Sequence, residues 1–153
     1  MNKISAVIPT LNRPVDLALA VTSVLEQKHL PDELIIVDQS VDERSYIAVE
    51  GLYKNFDVTP KLIYLHEPEV SGLIEAKQRG VEVAKGDIIS FLEDDVVLHQ
   101  QYFENAISIF KNNQKVIGCC GVMSNVHSGV LYEYLFKLFH RGIFYDPRLN
   151  AGK

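Results

Sequence analysis

Short β-branched and aliphatic runs alternate along the chain with segments whose apolar side chains recur every three or four positions. Five runs read as strands, at residues 4–8, 34–37, 62–65, 87–92 and 116–122. Most are near-continuous in Val, Ile and Leu, the pattern of strands covered on both faces. Between the first two, residues 15–27 place Leu17, Val21, Val24 and Leu25 on one helical stripe, with Asn12 as cap and Pro14 in the first turn, where its missing N–H is harmless. A second helix is expected after Asp42, its end weakened by Gly51. The third takes Ser71 as its cap and carries Leu73, Ala76, Gly80 and Val83 on one face; Gly80 suits close packing on the sheet, and Gly86 a left-handed cap before the next strand. A fourth helix, about residues 101–111, shows Phe103, Ala106, Ile107 and Phe110. This alternation predicts an α/β fold over residues 1–123, a mostly parallel sheet flanked by helices.

After Ser124 the pattern degrades. Residues 130–139, VLYEYLFKLF, fit a helix packed on a neighbouring element or an interfacial segment at a membrane surface, and the thin cationic face of Lys137 and Arg141 favours packing. No closing helix or strand follows, so residues 124–153 are expected to begin a region that is truncated at the C-terminus.

Composition narrows the class. With 47% hydrophobic residues and ordinary Gly and Pro content, the chain is not disordered, and 2 Cys cannot build a disulfide framework. No stretch approaches the ~18 apolar residues of a membrane-spanning helix. The N-terminal apolar run stops at Pro9, too short for a signal peptide, so a cytoplasmic location is expected, with peripheral association at the inner face of the membrane left open by residues 130–139. Cys119 and Cys120 are adjacent and face opposite ways on a strand, so they are expected to be buried, reduced filler. The net charge of -5 argues against a nucleic-acid partner and means that any anionic ligand needs local cations or a metal.

In an open parallel sheet, ligands bind beyond the carboxyl ends of the strands. The residues there are Pro9, Thr10, Asn12 and Arg13; Asp38, Gln39 and Ser40; Glu67; and Glu93, Asp94 and Asp95. The last three are the sharpest feature: three acids between apolar segments repel one another unless a cation compensates, and hard oxygen ligands suit Mg²⁺ or Mn²⁺. A solvated acidic turn with an Asp capping the next helix is the competing reading. Arg13 has a competing reading as a surface residue beside a helix start, Lys77 an equal one as a solvated helix residue, and Asp38 a competing one as an Asx cap of its turn. The five His show no metal-ligand spacing.

The segments AVIPTLNRP (6–14), LIIVDQS (34–40), GLIEAKQRG (72–80) with AKGD (84–87), and FLEDD (91–95) resemble, in order and spacing, the nucleotide-sugar half of family 2 glycosyltransferases. The resemblance implies a GT-A, Rossmann-like fold, a nucleoside-diphosphate sugar donor with UDP-sugar as the expected one, and a divalent metal, Mn²⁺ or Mg²⁺. By the same resemblance, Pro9, Thr10 and Arg13 would sit against the base and diphosphate, and Asp38 would accept a hydrogen bond from the base. Lys77 would reach towards the nucleotide, Asp94 would contact the ribose, and Asp95, with Glu93 as a second candidate, would hold the metal. The chain departs from the pattern in having Gln39 and Ser40 where a second acid and a glycine are common, Gln78 where Asn is common, and Glu93 where Asp is usual.

The implied reaction is metal-assisted, inverting sugar transfer to an acceptor hydroxyl, saccharide or lipid-linked, in polysaccharide assembly. Such a transfer needs a general base. Among the later acids, Glu104, Glu133 and Asp146 lack a motif around them, so the base is expected outside this chain, which then supplies the donor half and only the start of the acceptor side. A nucleotidyltransferase is the alternative enzyme class, although residues 9–14 lack the glycine-rich phosphate loop it would bring. A non-catalytic nucleotide-sugar-binding fragment is the other.

Overall fold

The computed structural model describes residues 3–122. Residues 1–119 form one unit, and residues 124–153, with the apolar segment at 130–139, lie outside the described residues. Four strands, β1 (Ile4–Thr10), β2 (Glu33–Asp38), β3 (Lys61–His66) and β4 (Ile88–Phe91), alternate with four helices, α1 (Pro14–Leu25), α2 (Arg44–Tyr53), α3 (Leu73–Val83) and α4 (Tyr102–Asn112). Every strand pair is parallel, in the order β3-β2-β1-β4, so the expected α/β sheet is what forms.

Side-chain alternation along the two central strands builds both layers of the core. Ile4, Ala6 and Ile8 of β1, with Leu34 and Ile36 of β2, pack on the stripe Leu17, Val21, Val24 and Leu25 of α1, on Val49 of α2, and on Phe103 and Ile107 of α4. The opposite face, Val7, Ile35 and Val37, packs on Ala76 of α3 and on Val70. All residues of β1 and β2 are buried, whereas β3 and β4 are sheet edges and stay half-exposed. Continuous apolar character alone does not distinguish a central strand from an edge.

The glycines of α3 and its exit loop are there for close approach. A Cβ at position 80 would overlap Val7 Cγ1, and one at position 86 would fall 2.6 Å from the Ser5 backbone N. Gly86 is therefore not the expected left-handed cap: among the described residues, only Asn12 (φ 58) and Gly72 (φ 99) have positive φ. The expected side-chain caps are also absent. Arg13 and not Asn12 occupies the N-cap of α1, Gly72 and not Ser71 that of α3, and neither makes a side-chain cap hydrogen bond. Asn12 is drawn into its left-handed turn because its N–H donates to Ser40 Oγ at 2.8 Å, so a tertiary contact outweighs the local cap. The run at 116–122 carries no strand, Ile117 and Val122 are exposed, and Cys119 and Cys120 are exposed instead of buried. Without a ladder partner, β-branched composition does not by itself make a strand.

Candidate functional site

The chain steps outward from β1 through β2 to β3, then returns across the sheet to place β4 on the other side of β1. The change of direction leaves a crevice at the carboxyl ends of β1 and β4, the switch point where ligands of open α/β sheets bind. Pro9 helps to open it. On the β4 side of β1, Lys3 O accepts from Ile88 N and Val7 O from Leu92 N. The next rung would need a donor from residue 9, and proline has none. Past Leu92 the chain is released into the turn that carries the acids. Pro9 itself is buried within the strand.

That turn brings four of the expected site residues together. Thr10 Oγ1 donates to Asp94 Oδ2 at 2.8 Å, and Arg13 Nη1 donates to Asp94 Oδ1 at 3.2 Å and to Asp95 Oδ2 at 3.1 Å. Asp94 is 8% exposed, while the side chains of Arg13 and Asp95 are 51% and 56% exposed. The charge of Asp94 foremost, then the hydrogen bond to Asp95, raises the Arg13 pKa above its ordinary value. Beside them, Lys77 Nζ of α3 donates to Glu93 Oε1 at 2.8 Å and lies 5.7 Å from the centroid of the Phe91 ring, within cation–π range. The cations that three clustered acids require are thus Arg13 and Lys77.

Asp38 belongs to a neighbouring group. It is 0% exposed; its Oδ1 accepts the Ser40 N–H at 2.9 Å, the Asx geometry, and its Oδ2 accepts the Tyr64 hydroxyl at 2.5 Å. Burial first, and then the hydrogen bond to Asp38, push the Tyr64 hydroxyl far above its ordinary range, so it remains a donor. Tyr46 stands edge-on to Tyr64 with ring centroids 5.1 Å apart, and His66 Nε2 is 2.8 Å from Ser40 O. Asp38, Asp42, Glu43, Tyr46, Tyr64 and His66 line a cavity of about 260 Å³. The two groups are joined through the register pair Thr10 and Asp38 and through the Asn12–Ser40 hydrogen bond.

Sequence reasoning missed Tyr64, Tyr46, His66 and the partner role of Ser40. A signal existed: Tyr64 and His66 follow Leu62 at period two on β3, and the parallel register sets Tyr64 opposite Ile36 and His66 opposite Asp38.

Among the described residues, no group of three or more His, Cys, Asp or Glu could hold a metal by itself. The donor set nonetheless fits a hard divalent cation of the kind held by one or two carboxylates plus a substrate phosphate: Asp95 is exposed, and among the described residues only one of its oxygens has a hydrogen-bond partner. Arranged so, the crevice can take an anionic group against Arg13 and Lys77 and a cation against Asp95 and Glu93.

Residues 5–150 match the family model described as glycosyl transferase family 2. The chain belongs to that family. It is 31% identical over 109 residues to human polypeptide N-acetylgalactosaminyltransferase 13, an alignment covering 70% of this chain and 19% of that protein. S. aureus TarS 1–349, solved with UDP-GlcNAc, superposes with a TM-score of 0.61 at 19% identity, covering 82% of this chain and 38% of that one. Glucosyl-3-phosphoglycerate synthase from M. tuberculosis, in complex with Mn²⁺, UDP and glucosyl-3-phosphoglycerate, gives 0.51 at 26% identity over 67% of this chain and 37% of that one. These neighbours share the GT-A fold with this family 2 chain, which spans about a fifth of the length of the human relative and under two fifths of each solved structure. No described helix is long and apolar enough to cross a membrane.

Proposed function

We propose that this chain forms the donor side of a glycosyltransferase that moves a sugar from a nucleoside diphosphate, UDP foremost, to an acceptor hydroxyl with inversion. The observation that carries this reading is the convergence of Thr10, Arg13, Asp94 and Asp95 at the β1/β4 switch point, with Asp38 beside it under a cavity. The base would lie over Asp38, whose carboxylate suits a ring N–H; Pro9, Thr10 and Arg13 would border the base and diphosphate; Lys77 would reach the nucleotide; Asp94 would take the ribose. Arg13 and Lys77 orient the diphosphate as cations, Arg13 with a fork that matches phosphate oxygens. Asp95, with Glu93 beside it, would hold the Mn²⁺ or Mg²⁺. When bound, that metal would neutralise charge on the departing nucleoside diphosphate. The Mn²⁺ and UDP bound to the M. tuberculosis synthase, 26% identical to this chain, support a divalent metal used together with a nucleoside diphosphate.

Titrating UDP calorimetrically with and without Mn²⁺ tests the reading. UDP should bind in a metal-dependent manner, and Asp95→Ala should weaken it about 10-fold or more, the loss of ~1.4 kcal/mol. Absence of nucleotide binding, or binding indifferent to both metal and Asp95, would overturn it.

A further inference from the structure

We propose that Arg13 is a tethered cation that occupies Asp95, a carboxylate a divalent metal would take, so that Arg13 and the metal compete until an incoming diphosphate draws the guanidinium to itself. The inference rests on the donor reading above. A single nitrogen, Arg13 Nη1, bridges Asp94 Oδ1 at 3.2 Å and Asp95 Oδ2 at 3.1 Å, which relieves the repulsion between adjacent acids. The root of the side chain is held firmly: Asn12 is fastened to Ser40 Oγ, and α1 begins at Pro14. Its tip is not. Half of the Arg13 side chain is exposed, and so is its outer partner Asp95, so the two can part without opening the core. Asp94 stays behind, held by Thr10. Solvated ion pairs of this kind are weak, whereas a guanidinium on a diphosphate gains paired, charge-assisted hydrogen bonds, so the exchange runs towards the ligand. Because coupling is reciprocal, nucleotide and metal should each tighten the other's binding, with Arg13 as the coupling group.

The test is a Mn²⁺ titration without nucleotide, read from the electron paramagnetic resonance signal of free Mn²⁺. Arg13→Gln should bind Mn²⁺ about 5-fold or more tightly than the wild type, within the usual range of coupling between sites. Arg13→Met, which keeps the apolar stem, should behave in the same way, and Arg13→Lys, which keeps the charge, should stay near wild type. Saturating UDP should tighten Mn²⁺ by a larger factor in the wild type than in Arg13→Gln. Unchanged or weaker Mn²⁺ binding in Arg13→Gln and Arg13→Met, no Mn²⁺ binding by any of the proteins, or Arg13→Lys matching Arg13→Gln overturns the proposal. Failure of UDP to bind the wild type would overturn the donor reading instead, and the nucleotide-free titration would still decide the role of Arg13.

Discussion

At the β2/β3 end of the sheet, Asp38 is fully buried and both its oxygens are held, by the Ser40 N–H and the Tyr64 hydroxyl. At the β1/β4 end, Asp95 is more than half exposed and its partner among the described residues, Arg13, is half exposed as well. The two ends carry the same functional group in opposite states. A buried carboxylate with every partner in place is preorganised and costly to disturb, whereas a solvated ion pair contributes little and exchanges readily. The first suits recognition of a rigid ligand part, the second the arrival of ions.

Four substitutions and a pH series sharpen that contrast. Asp38→Ala strands two donors beneath the cavity and should cost about 3 kcal/mol, at roughly 1–3 kcal/mol for each unsatisfied buried group, read by urea unfolding. Asp94→Ala leaves only the Thr10 hydroxyl stranded inside and should cost about 1–3 kcal/mol by the same measurement. Tyr64→Phe keeps the ring against Tyr46 and removes one hydrogen bond to a carboxylate, a loss of about 1.5–3 kcal/mol at most. Arg13→Gln, at the open end, should leave stability within about 0.5 kcal/mol of wild type. A large loss in Arg13→Gln, or none in Asp38→Ala, would break the distinction between the two ends.

The pH series works through Tyr64. Its folded-state pKa is raised above the unfolded value of about 10, so its contribution is fully present below about pH 10 and declines as the pH rises further. Wild-type stability should therefore fall above about pH 10, and Tyr64→Phe should fall less steeply, keeping the remaining slope due to the half-buried Tyr53, whose pKa is raised in the same sense. Identical alkaline slopes in the two proteins would contradict the pairing of the half-buried Tyr64 with Asp38.

Much of this architecture was legible in the order of residues, and the exceptions have physical causes. The central strands and the stripe of α1 followed from apolar runs and helical spacing, because burial on both faces leaves a local mark. Which strands form the edges depends on neighbours in space, and β3 and β4 carry no local sign of it. The caps at Asn12 and Ser71 fail for a similar reason: the Asn12 N–H donates to Ser40 Oγ before α1, and the Gly72 N–H donates to Gln39 Oε1 before α3, so distant loop residues set both turns. At the site, Glu93, Asp94 and Asp95 stood out as acids between apolar runs. Who pairs with whom did not, because Arg13 meets Asp94 only once β4 lies beside β1, and Tyr64 meets Asp38 only through the β2/β3 register. Residue chemistry was visible along the chain; pairing required strand order.

The central claim is that the β1/β4 crevice holds the diphosphate and the metal while the cavity over Asp38 holds the base. It is tested most directly by crystals grown with UDP and Mn²⁺ and measured at the manganese absorption edge. The anomalous peak should lie beside Asp95, with the diphosphate against Arg13 and the base over Asp38. A manganese peak remote from Asp95, or UDP bound away from the ends of β1, β2 and β4, would contradict the account.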